Sequence, residues 1–129
     1  MYFLDVNWPL IIGPLAYFLV IGGLMDGFFV HVFLQPRKFL FAIGQALLAN
    51  SVSLVAGFVA WPYIFPTGFD FAELSLASYG LLWLLTMLCE ALVLKLFNRR
   101  KSWNRVLMAS ICMNVLSFII LYLFFVMIN

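Results

Sequence analysis

Charge is what this sequence has least of. Only 9% of its 129 residues are Asp, Glu, Lys or Arg, against about a quarter in an ordinary soluble domain. Histidine occurs once, as His31, and cysteine twice, as Cys89 and Cys112. One histidine cannot supply a bis-histidine haem pair. No CxxC pair is present, which removes support for thiol–disulfide exchange. Both cysteines fall inside apolar runs and read as small hydrophobes. No Cys, His and carboxylate set has metal-ligand spacing. A phosphate loop, a nucleophile elbow and a metalloprotease motif are all missing. No catalytic residue, metal ion or cofactor is expected, and the chain reads as something other than an enzyme.

What it has in excess is apolar surface. Hydrophobic residues make up 67% of the chain. A soluble fold of this size could not bury that much, because small domains leave a large share of their area exposed. A lipid bilayer is the solvent that suits it, and the length predicts one compact bundle over residues 1–129. Four apolar segments stand out: Leu10 to Leu34, Phe39 to Trp61, about Leu74 to Phe97, and about Val106 to Ile128. Each exceeds the roughly 20 residues that a helix needs to cross the hydrocarbon. Open strands would leave unpaired backbone groups in lipid. The expected fold is therefore all-α and polytopic, with four transmembrane helices in two hairpins, about 8–61 and about 74–128. "NWP" at Asn7–Pro9 reads as a helix start, with proline early in the helix. The first segment lacks a basic leader and is too long for a cleavable signal.

The few charges are sorted by side. Arg37 and Lys38 lie between the first two segments, and Lys95, Arg99, Arg100, Lys101 and Arg105 lie around the gap between the last two. Those seven are every Lys and Arg in the chain, and Asp5, Asp70 and Glu73 lie on the other side. The positive-inside rule makes both basic loops cytoplasmic and both termini external. Arg37, Lys38, Arg99, Arg100, Lys101 and Arg105 are expected to touch anionic lipid, with nucleic acid excluded by the small size of a two-helix turn. Trp8 and Trp61 mark the outer interface and Trp103 the inner one. Residues 62–73, "PYIFPTGFDFAE", read as the one sizeable outer loop, turned by its prolines and glycine.

A shift of 64 positions lays the polar residues of the first half on those of the second. Asp26 falls on Glu90, His31 on Lys95, Arg37 on Lys101, Asn50 on Asn114 and Ser53 on Ser117. The pattern predicts a duplicated hairpin, with parallel repeats related by an axis along the membrane normal. Counted from the basic turns at 1.5 Å per residue, Asp26 and Glu90 lie about 13 Å deep, and Asn50 and Asn114 at a similar level or a turn deeper. Asp26, Asn50, Glu90 and Asn114 thus form an expected intramembrane polar layer. Helix-packing faces are expected at Gly23 and Gly27, at Ser53 and Gly57, and at Ser110 and Ser117, where small residues let helices approach. His31 and Lys95 are expected to snorkel towards headgroups.

A charge at mid-membrane costs about 2.5–3.5 kcal/mol or more, so at least one of Asp26 and Glu90 is expected to be a neutral acid bonded to Asn50 or Asn114. Such a layer clamps helices in register. It also has the composition of a proton or cation pathway. The leading functional expectation is a non-catalytic structural or assembly subunit of a larger membrane complex, partnered by other membrane subunits or by itself. The alternative is a small proton- or cation-coupled transporter or channel. A bacterial inner membrane is the expected location. Size and helix count resemble those of small multidrug-resistance transporters and small fluoride channels. The first family carries its glutamate in the first helix, where this chain has Asp26, and neither family concentrates its bases on one side. The chain is assigned to neither.

Overall fold

The computed structural model describes residues 8–64 and 76–128, and the side chains of residue 16 and of residues 20–60, 62–64 and 80–119. Within them the chain is helical, without strands. Helix α1 spans Trp8–Leu34, α2 Phe39–Ile64, α3 Leu76–Phe97 and α4 Trp103–Ile128. Long apolar runs make helices because a helix satisfies its own backbone.

The helix ends follow from local chemistry. Gln35 closes α1 with a left-handed φ of 50°, its N–H bonding the His31 carbonyl at 3.0 Å. Pro36 then cannot continue the helix. The Lys38 carbonyl starts α2 by accepting from the N–H groups of Phe41 and Ala42. At the second turn the Asn98 N–H bonds the Leu94 carbonyl, and Lys101 N–H closes back on Asn98 at 2.9 Å.

Two boundaries differ from expectation. Helix α2 runs past Trp61 to Ile64 and takes Pro62 inside it. A proline in the last turn forfeits one backbone bond and crowds one carbonyl, too little to end an apolar helix. Helix α4 starts at Trp103 rather than Val106, because Ser102 and the tight turn before it set the start. Most of the expected outer loop, residues 65–73, lies outside the described residues, as do residues 74 and 75 and the side chains of Trp8 and Trp61.

The helices form a ring. Helix α1 packs on α2 and α4, and α3 packs on α2 and α4. The short turns make α1–α2 and α3–α4 antiparallel, and cross-helix contacts do the same for α2–α3, where Gln45 faces Asn98 and Ser53 faces Glu90. Large apolar side chains such as Leu40, Phe58 and Val59 point outward, while the interior takes Val30, Leu34, Leu94, Val106 and Met113 beside five alanines, Ala42, Ala46, Ala49, Ala91 and Ala109, and polar groups. Two helices are long and apolar enough to cross a membrane, over Phe39–Ala60 and Gly80–Phe97. The described apolar stretches of the other two, Val20–Leu34 and Trp103–Ile119, are shorter.

Glycine sets how closely α1 meets α2. A Cβ on Gly27 would lie 2.9 Å from the Cα of Ile43 and 2.8 Å from its Cγ1. That neighbour is backbone and cannot move aside. A Cβ on Gly23 would meet the flexible end of Leu47. Gly44, by contrast, faces open space. Gly27→Ala should therefore lower stability by about 1–3 kcal/mol through overpacking. Gly44→Ala should hold or raise it, since Ala is the better helix former by about 1 kcal/mol. Unfolding of the purified variants in detergent, followed by helical circular dichroism, compares the two.

Candidate functional site

The polar residues of the interior meet in one band across the bundle. Asp26 and Glu90 are 2% and 4% exposed, and Ser53, Ser110 and Asn114 are also buried. Asn50 and Asn114 are each the twelfth residue of their helix. That register carries each asparagine to the carboxylate of the preceding helix. The Asn50 amide nitrogen donates to Asp26 Oδ2 at 2.7 Å. The Asn114 amide nitrogen donates to Glu90 Oε2 and, at 2.9 Å, to the Ser110 carbonyl one turn back.

A third bond joins the two pairs. Ser53 Oγ on α2 stands 3.2 Å from Glu90 Oε1 on α3 and 2.9 Å from the Asn50 carbonyl. Thr86 Oγ1 reaches Asn114 Oδ1 at 3.2 Å, while bonding the Trp83 carbonyl on its own helix at 2.9 Å. Ser110 Oγ donates across the α3–α4 seam to the Met87 carbonyl at 2.7 Å. Among the described residues, no buried side-chain nitrogen or oxygen lacks a partner. The groups that meet the two carboxyl groups are amides and a hydroxyl, which supply directed bonds and no compensating charge.

Of the small and polar positions singled out for packing, Gly23, Gly27, Ser53, Gly57 and Ser110 are buried, and Ser117 is exposed. The buried face of α4 is instead Val106, Ala109, Ser110, Met113 and Asn114. Ser117 is seven residues beyond Ser110, and seven residues fall about 20° short of two full turns, a drift too small to turn it away by itself. Ser117 nevertheless stands outside the seam. Ser53 therefore bridges α2 to α3 without a counterpart bridging α4 to α1. Gly57 has a different setting from the α1 glycines. With Ser53, Leu54, Phe58, Pro62, Leu82 and Thr86 it lines an apolar groove of about 540 Å³ between α2 and α3.

Thr86, Gln45 and Asn98 are participants that the sequence does not single out. Thr86 precedes Glu90 by four residues, so it shares the helix face, and that spacing was a usable signal. Asn98 donates to Gln45 Oε1 at 2.8 Å and ties the second turn to α2. Lys95 reaches into the second turn. Its Nζ donates to the Arg99 carbonyl at 3.0 Å and to the Lys101 carbonyl, and sits 5.3 Å from the centroid of the Trp103 ring. It caps the turn and holds the start of α4 against the end of α3. His31 is exposed and packs edge-on to Phe39, with centroids 5.5 Å apart. Arg37, Lys38, Arg99, Arg100 and Arg105 are exposed and Lys101 half-buried, at the end of the bundle where both turns lie.

No known protein family, curated protein or solved structure matches the chain. The reading of the site therefore rests on its own geometry.

Two substitutions test that geometry. Asn114→Leu removes the donor to Glu90 and strands a buried carboxyl oxygen, which should cost about 1–3 kcal/mol. Asn114→Leu with Glu90→Leu removes both partners and should recover part of the loss. Detergent unfolding of the single and double variants reads the difference. Lys95→Met uncaps the second turn and should cost about 1.5 kcal/mol or more, seen as a lower unfolding midpoint with the polar layer intact.

Proposed function

We propose that this chain is an integral membrane protein with four spans, built as two repeated hairpins, whose basic turns face the cytoplasm. Its role is that of a non-catalytic structural or assembly subunit in a membrane complex. Several features support the membrane placement. Apolar side chains cover the outside of the ring, the two turns and the helix ends beside them carry all seven bases, and the interior mixes apolar side chains with alanines and a buried polar band. The repeat is supported by helix register. Helices α2 and α4 are each 26 residues long, and their first and last residues differ by the same 64 positions as Asp26 from Glu90 and Asn50 from Asn114.

The observation that carries the functional reading is the closure of the polar layer. Each carboxyl group is bonded by the asparagine of its own hairpin, and Ser53 links one hairpin to the other. A hydroxyl has one proton. Given to the Asn50 carbonyl, the nearer acceptor, it leaves Ser53 Oγ free to accept from a protonated Glu90 Oε1. Glu90, Ser53 and the Asn50 carbonyl then form a donor–acceptor sequence, with Glu90 Oε2 left to accept from Asn114. A neutral Glu90 avoids the cost of a bare charge in hydrocarbon. Bonds of this kind are worth about 0.6 kcal/mol each on average within a membrane, so they specify the arrangement more than they strengthen it. That suits a scaffold. The broad apolar exterior then serves lipid and neighbouring subunits.

Purification in mild detergent at native expression, with mass spectrometry of what accompanies the chain, tests the role. Other membrane proteins should copurify at fixed stoichiometry. The Asp26→Asn/Glu90→Gln variant keeps the hydrogen-bonding shape without titration and should carry the same set. A homo-oligomer that moves protons or cations across vesicles, and loses that flux in the double variant, would replace the subunit reading with the transport reading.

A further inference from the structure

At the basic end of the bundle, α2 and α3 part to leave a groove of about 300 Å³ lined by Leu40, Phe41, Gly44, Gln45 and Phe97. Its walls are the side chains of Leu40, Phe41 and Phe97, all well exposed. Gly44 opens its middle, because a Cβ placed there would meet nothing within 4 Å. The mouth is fixed by chain connectivity. Phe41 lies three residues after Lys38, and Phe97 two residues before Arg99. Gln45 and Asn98 are bonded across the two helices beside it. An apolar slot thus ends at two turns that hold five of the chain's seven bases and no acid, with Lys95 and Arg105 in the helix ends beside them. Lys95 is committed to backbone carbonyls, but Arg37, Lys38, Arg99 and Arg100 are exposed.

We propose that this groove binds one anionic diacyl phospholipid, with an acyl chain over Gly44 between Phe41 and Phe97 and the phosphate held by the basic turns, chiefly Lys38 and Arg99. The inference rests on the membrane placement argued above. Charge complementarity selects the occupant. Basic pockets at the cytoplasmic ends of helices take anionic headgroups, and at 1.5 Å per residue Gly44 lies about 9 Å below Lys38, within the upper part of an acyl chain. A zwitterionic lipid fills the slot equally well but leaves the cluster of positive charge uncompensated. The site therefore differs from a general attraction of bases to a surface, since it requires the slot as well as the charge.

The full chain is reconstituted in nanodiscs of equal phosphatidylglycerol and phosphatidylcholine, released into detergent and weighed by native mass spectrometry. One retained phosphatidylglycerol per chain is expected, favoured several-fold over phosphatidylcholine. Gly44→Leu fills the slot and should cut retention several-fold at unchanged helical circular dichroism. Gly80→Leu, at another exposed glycine with open space around it, should not. Lys38→Gln/Arg99→Gln should abolish the headgroup preference. Equal retention of the two lipids by the wild type, or retention untouched by Gly44→Leu, overturns the site. A bound protein segment in place of lipid also overturns it. A chain that washes off membranes in alkaline carbonate would instead refute the membrane placement, a distinct failure visible before any lipid is weighed.

Discussion

The bond from Asn114 to Glu90 is the contact on which the second hairpin turns. A buried carboxyl oxygen without a donor costs more than the bond itself is worth. Helix α4 must therefore sit at the height that brings its twelfth residue to Glu90, and the same requirement sets α2 against Asp26. Ser53 extends it between the hairpins, from α2 to Glu90. Once those heights are set, the interior closes with Val30, Leu34, Ala42, Ala46, Leu94, Val106 and Ala109.

In the membrane placement proposed above, close packing follows a different rule than in water. Lipid is as apolar as leucine, so moving large side chains inward gains little. The gain comes from backbones in contact. Gly27 against the Ile43 backbone is the clearest case, and the alanines of α2, α3 and α4 continue it. The two seams are not equal. Position 91 in α3, 64 residues after Gly27, is Ala91, so α3 and α4 lack the glycine that draws α1 onto α2. Their seam is held instead by Ser110 on the Met87 carbonyl and by Asn114 on Glu90.

Helical class was plain in the sequence because apolar runs of this length have few other ways to satisfy a backbone. The ends of α2 and α4 were not. Pro62 reads as a breaker and Trp103 as part of a loop, yet the cost of a proline depends on how much helix remains after it, which composition does not say. Depth counted from the basic turns points to Asp26, Asn50, Glu90 and Asn114, and in the structure Asp26 bonds Asn50 and Glu90 bonds Asn114. Counting residues gives height and relative angle along one helix but not where its neighbours stand. That is why Ser117, in step with Ser53 in the repeat, stands exposed while Thr86 lies inside. Lys95 shows the same limit. Its position near a helix end suggested a headgroup contact, and only the fold of the turn reveals two carbonyls within its reach.

The central claim is a hydrogen-bonded layer in which a neutral Glu90 donates to Ser53. Glu73 and Glu90 are the chain's two glutamates, so isotope-edited infrared spectroscopy of glutamate-labelled protein in a Glu73→Gln background reports Glu90 alone. At neutral pH the account predicts a protonated carboxyl band, shifted when Ser53→Ala removes its acceptor. An ionised carboxylate band at neutral pH, indifferent to Ser53→Ala, would contradict it.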